Sequence, residues 1–124
     1  MNRTTKHLTR GTIFVHSSPA ALCPHVEWAV AGALDARVSI PWIAQPAEPG
    51  SRCGEIPWQG RPGTGALLAS TLVRLGRIRF EITEHPSPGV DGQRFMFTPA
   101  LGSFTATVGA HGDILVPEDR LRSA

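Results

Sequence analysis

Residues 12–32 read TIFVHSSPAALCPHVEWAVAG, and this stretch decides the fold. Ile13-Phe14-Val15 is an unbroken apolar run, so it reads as a strand over about Gly11 to His16, buried on both faces. Ser17-Ser18-Pro19 ends it. A helix then runs from about Pro24 to Asp35, because proline is tolerated in a first turn and breaks a helix further in. Val26, Val30, Ala33 and Leu34 share one stripe of that helix, its core face.

Outward from this unit the pattern continues as a mixture of strands and helices. Arg37 to Ile43 reads as a strand with Val38, Ile40 and Trp42 on one side, and Pro41 favours a sheet edge. A Pro/Gly-rich connection, Gln45 to Ser51, leads to a short strand at Glu55 to Trp58, and a hairpin of these two strands sets Trp42 and Trp58 on one face. Gly60 to Gly65 is a turn. Thr64 is the expected N-cap of a helix to Leu75, with Leu68, Leu72 and Leu75 at helical spacing and Gly76 as its terminator. Arg77 to Glu84 alternates cleanly, as a strand with one buried face does. After the breakers His85 to Gly89, strands are expected at Gln93–Thr98, Phe104–Gly109 and Ile114–Val116, and Pro117-Glu118-Asp119 resembles the start of a short helix.

The order strand, helix, strand, strand, helix, strand predicts an α+β fold, a ferredoxin-like βαββαβ sandwich with an additional C-terminal β hairpin and a short terminal helix. Residues 1–10 read as a disordered lead-in and residues 11–124 as a single domain. Pro57 is the objection, since a proline in a central strand loses a ladder bond.

Composition excludes more than it identifies. The 124 residues carry a formal charge of +2, with 41% hydrophobic and 18% charged residues, an ordinary balance for a globular chain large enough to bury a core. Such weak basicity does not point to a nucleic-acid partner. No apolar run approaches the roughly 20 residues that span a bilayer, so no membrane partner is expected. No secretory signal precedes the two cysteines, and the expected location is cytoplasmic with both thiols reduced.

Reactive side chains gather where the first strand meets the first helix. Cys23 sits at the helix N-terminus, where the dipole favours a thiolate, and His16 and His25 are potential bases, so these three are the candidate catalytic residues. The alternative for Cys23 is a small buried residue at a helix start. One Cys-Pro-His triplet is a poor match to the paired ligands of a structural zinc site, so no metal and no cofactor is expected. His25 and Glu27, two residues apart, do not share a helix face, and Glu27 reads as an acidic residue favoured in a first helical turn. The turn Gly60, Arg61, Gly63, Thr64 opens a helix and is a candidate cradle for a phosphate or carboxylate, although it lacks the Walker ending. His111-Gly112-Asp113 reads as turn chemistry. Trp28, Trp42 and Trp58 lack the signature of RNA-stacking strands; Trp42 and Trp58 read as core or interface residues, which would mark a protein-contact surface if exposed together.

The strings Val15 to Pro19, Ala21 to Gly32, Trp58-Gln59-Gly60 and His111 to Leu121 resemble an actinobacterial conserved hypothetical protein family, domain of unknown function (3145). The likeness spans about Gly11 to Leu121. It implies an actinobacterial cytoplasmic protein and brings no activity, cofactor or catalytic residue with it. Two functional readings stay open. The first is a non-enzymatic regulatory or protein-interaction module that binds a partner or itself through an edge strand or an exposed apolar face. The second is a small enzyme or ligand-binding domain using the Cys/His site at the first strand-helix junction.

Overall fold

The computed structural model describes residues 8–87, 89–108 and 114–115. Along the chain run β1 (Thr9–Pro19), a 3-10 turn (Ala20–Leu22), α1 (Cys23–Leu34), β2 (Ile43–Ala44), β3 (Ser51–Gly60), α2 (Thr64–Val73), β4 (Arg79–Glu84), β5 (Gly92–Thr98), β6 (Gly102–Val108) and β7 (Ile114–Leu115). The strands form one sheet in the order β2-β3-β1-β4-β5-β6-β7, and every neighbouring pair is antiparallel. The fold is therefore α+β. The expected turn at His111 to Asp113 and the helix start at Pro117 lie outside the described residues.

β1 is the centre of the helix-covered region, as the apolar run predicts, but only one of its faces is covered. Ile13 and Val15 are fully buried, whereas Thr12, Phe14 and His16, pointing the other way, are only half-buried. Side chains alternate across a strand, and both helices lie on one side. There Val26 and Val30 of α1 and Leu68 and Leu72 of α2 join Ile13, Val15, Trp58, Phe80 and Ile82 in a single core. Each fully buried aliphatic or aromatic side chain contributes about 1.5–3 kcal/mol. β1 begins at Thr9, two residues before the expected start and inside the expected lead-in.

The main departure lies at residues 37–43. The alternation of Val38, Ile40 and Trp42 predicts a strand, yet ladder pairing is confined to Ile43 and Ala44, opposite Cys53 and Arg52. The preceding residues form a strap without ladder bonds, turned at Pro41, where the Trp42 amide donates to the Ile40 carbonyl at 2.8 Å. Ile40 is buried and occupies the space a side chain would need at Gly54, where a Cβ would come 2.5 Å from its methyl group. The hydrophobic period there records burial against neighbours rather than a sheet ladder.

β3 is longer than Glu55–Trp58, and its pairing answers the Pro57 objection. β2 covers only Arg52 and Cys53, so at Pro57 the strand is an edge, where a missing N–H costs no ladder bond. On the opposite side Trp58 pairs with Gly11. The indole lies where a Gly11 side chain would project, 2.6 Å from the Cβ position, which requires glycine there.

Candidate functional site

The junction of β1 and α1 contains a β-bulge. The register of β1 slips between Val15 and Ser18 against β3, and between Val15 and Ser17 against β4. Such bulges re-aim side chains, and here the candidate residues diverge. His16 emerges on the uncovered face of the sheet, stacked on Phe14 at 4.1 Å with Nε2 3.7 Å from Glu81 Oε1. Its carbonyl accepts a 2.6 Å hydrogen bond from Gln45 Nε2. His25 is exposed on α1 and meets Trp28 edge-on at 5.3 Å.

Cys23 turns inward and is 7% exposed. Its thiol donates to Ser18 Oγ at 4.0 Å and to the Pro19 carbonyl at 3.8 Å, so neither imidazole is among its partners. Burial pushes the thiol pKa up, outweighing the lowering effects of Ser18 and Arg52. The helix-start position predicts stabilisation of a thiolate. Burial acts in the opposite direction, because desolvation disfavours the charged form.

The Gly60 to Thr64 turn also differs from its sequence reading. Thr64 is not the cap: the N-cap is Gly63, at φ +96°, with no side-chain cap of its own. The cap comes from Glu84, at the end of β4 and 5% exposed. Its carboxylate accepts from the Gly63 amide at 3.0 and 3.2 Å and from the Gly65 amide at 2.8 Å. The amides of this candidate anion cradle thus hold a carboxylate of the chain itself, while Arg61 stays exposed. Gly65 permits this approach, since a Cβ there would lie 3.0 Å from Glu84 Oε1. Sequence reasoning missed Glu84, although the alternation Phe80, Ile82, Glu84 carried the signal that it faces inward.

Glu27 likewise differs from its sequence reading, because α1 starts at Cys23 and has no acidic residue in its first turn. Its Oε2 accepts from the Ile40 amide at 2.8 Å and from Trp42 Nε1 at 3.1 Å, fastening the strap over α1. The three tryptophans separate accordingly. Trp58 is 4% exposed and in the core, Trp42 packs beside it, and Trp28 stands 69% exposed on the outer face of α1.

That outer face is chemically unusual. α1 reads CPHVEWAVAGAL and α2 reads TGALLASTLV, and Glu27 is the single Asp, Glu, Lys or Arg in either helix. With Glu27 committed to the strap, what α1 and α2 turn outward is Pro24, His25, Trp28, Gly32, Ala66, Leu67 and Ser70. A helix with one wet face ordinarily carries charges there. Beside Trp28 lies a hollow of about 430 Å³ lined by Glu27, Ala31, Arg37, Val38 and Ser39, so charged groups border this face from the strap side. A second, of about 350 Å³, lies between α2 and β5–β6, where Ala66, Ala69, Phe95 and Phe97 form its walls.

Among the described residues no group of three His, Cys, Asp or Glu side chains is arranged to hold a metal ion, and no helix is long and apolar enough to cross a membrane. The chain belongs to the family described as Protein of unknown function (DUF3145), whose model matches residues 12–124. No curated protein and no solved structure matches it.

Proposed function

We propose that this member of the DUF3145 family is a non-enzymatic protein-interaction module that docks through the outer face of its two helices. The observation that carries the reading is that none of the exposed residues of the two helices is Asp, Glu, Lys or Arg, while Trp28 among them is 69% exposed. Aromatic residues are enriched and charged ones depleted at the cores of protein interfaces. Leu67, 50% exposed on α2, extends the same apolar surface.

The free edge of β3 is the less suitable surface, because Pro57 interrupts its row of donors, a device that discourages strand addition. The uncovered sheet face interleaves Glu55 and Glu81 with Arg10, Arg79 and Arg94, so it offers no continuous basic surface to phosphates. A buried thiol with a raised pKa, away from both histidines, supports a non-catalytic role for the junction. Free Cys23 and Cys53 support a reducing, cytoplasmic setting. We read β1-α1-β2-β3-α2-β4 as a ferredoxin-like unit: the order β2-β3-β1-β4 with both helices on one face supports it. β5, β6 and β7 are then an extension of its sheet.

Site-specific photo-crosslinking in the native cell tests the docking face. A benzophenone side chain at Trp28 or Leu67 is expected to form discrete protein adducts, and one at the exposed Glu55 on the other sheet face is not. Adducts from Glu55 alone, or from no position, would overturn the reading.

A further inference from the structure

We infer that the hollow between α2 and the β5–β6 hairpin is a binding site for a small, uncharged aromatic molecule. The site lies apart from Trp28 and does not depend on the docking reading. Its floor follows from the ladder: Phe80 of β4 pairs with Phe97, which pairs with Ser103, and Ile82 pairs with Phe95, which pairs with Thr105. Cross-strand neighbours share a face, so Phe95, Phe97, Ser103 and Thr105 all lie on the helix side of the sheet. Phe97 is stacked on Phe80, with ring centroids 5.6 Å apart. Phe95 reaches under the start of α2, where its Cε2 lies 3.2 Å from the position a Gly65 Cβ would take. Opposite them α2 presents Ala66, Ala69, Ser70 and Val73, none of them large, and a space of about 350 Å³ is left.

The lining selects the occupant. None of the eleven described residues around the hollow is charged, so a charge brought to its floor would stay unpaired, which is strongly unfavourable. The apolar surface also stops at β5, because β6 carries Ser103, Thr105 and Thr107 on that face. A helix or a protein partner laid across the whole extension would need an apolar face on β6 as well. What fits is an object no wider than the gap from α2 to β6, apolar towards the phenylalanines and able to meet hydroxyl groups at its rim. Small-molecule sites have this make-up, apolar walls with a few polar groups, and volumes of about 300–1,000 Å³. Aromatic rings meet phenylalanines in offset or edge-on contact. At about 30 Å³ per water the space equals roughly twelve waters, enough for an aromatic body of two or three rings. Both phenylalanines are already held within the protomer, so ordering them adds little to the cost of binding.

Fluorescence titration of the purified full chain with the neutral dye N-phenylnaphthylamine tests the inference, because anilinonaphthalene sulfonate is the same ring system with one negative charge added. The neutral dye is expected to bind at one site with a dissociation constant on the order of 10–100 µM, and the sulfonate at least tenfold more weakly. Ala69→Leu fills the hollow from α2 and Ser103→Phe fills it from β6, and each is expected to weaken the neutral dye at least tenfold. Leucine suits a helix and phenylalanine a strand, so thermal midpoints near that of wild type separate a lost site from a lost fold. No binding of the neutral dye at about 500 µM protein, five times the weakest constant expected, would overturn the inference. Equal affinity for the two dyes would do the same, as would undiminished binding by a filled variant that keeps its thermal midpoint.

Discussion

Replacing Glu84 by alanine removes one carboxylate from three hydrogen bonds at the start of α2. Gly65 is buried, so its amide is left without water as well as without its acceptor, at a cost of about 1–3 kcal/mol. Gly63 is exposed and its amide can be hydrated, so only the capping contribution of about 1 kcal/mol is lost there. Together these give about 2–4 kcal/mol, or roughly 8–15 °C in thermal midpoint for a domain of this length. Glu84→Gln keeps the volume but sets an NH2 donor against one of the two amides, and about half the loss is expected. Urea denaturation followed by circular dichroism measures both. A Glu84→Ala change of less than about 0.5 kcal/mol, the scale of an ordinary surface substitution, would refute the claim that a distant carboxylate caps this helix.

Gly11→Ala sets a methyl group against the Thr83 carbonyl and the Trp58 ring; a loss of about 3 kcal/mol or more is expected, with Trp58 fluorescence shifted to the red. Glu27→Ala frees the strap at a cost of about 1 kcal/mol, and the Ile40 amide is expected to exchange hydrogen faster while the core amides of β1 do not. Iodoacetamide at pH 8 is expected to modify Cys53 before the buried Cys23. Since the folded Cys23 pKa lies above its unfolded value of 9.0, its contribution to stability is complete below that value and is lost as pH rises through the folded pKa. Cys23→Ala is therefore expected to flatten the decline of stability on the alkaline side.

The local signals in the sequence served well where one segment determines its own structure. Ile13 to Val15, the proline-started α1, the leucine spacing of α2 and the alternation of β4 all gave elements within a few residues of those observed. Distant partners defeated the rest. Val38, Ile40 and Trp42 have the period of a strand because they fit against neighbours, and Glu27, far along the chain, supplies the polar contact that a ladder would have supplied. Thr64 has the chemistry of an N-cap, but Glu84 arrives from another strand and takes the amides. The junction was legible as a cluster of reactive types and not as a set of directions: the bulge after Val15 sends His16 out to the open face, while Cys23 turns inward. The helix face was present in the sequence all along as two charge-poor helices, and the structure adds that their one carboxylate, Glu27, is hydrogen-bonded to the strap.

Oxidative footprinting of Trp28 tests the docking claim most directly. The indole is compared in dilute purified protein and in the assembly isolated from the native cell, with Trp58, 4% exposed, as the internal reference. The account predicts that Trp28 is readily modified when dilute and protected several-fold in the assembly, while Trp58 resists in both. Equal modification of Trp28 in the two samples would contradict it.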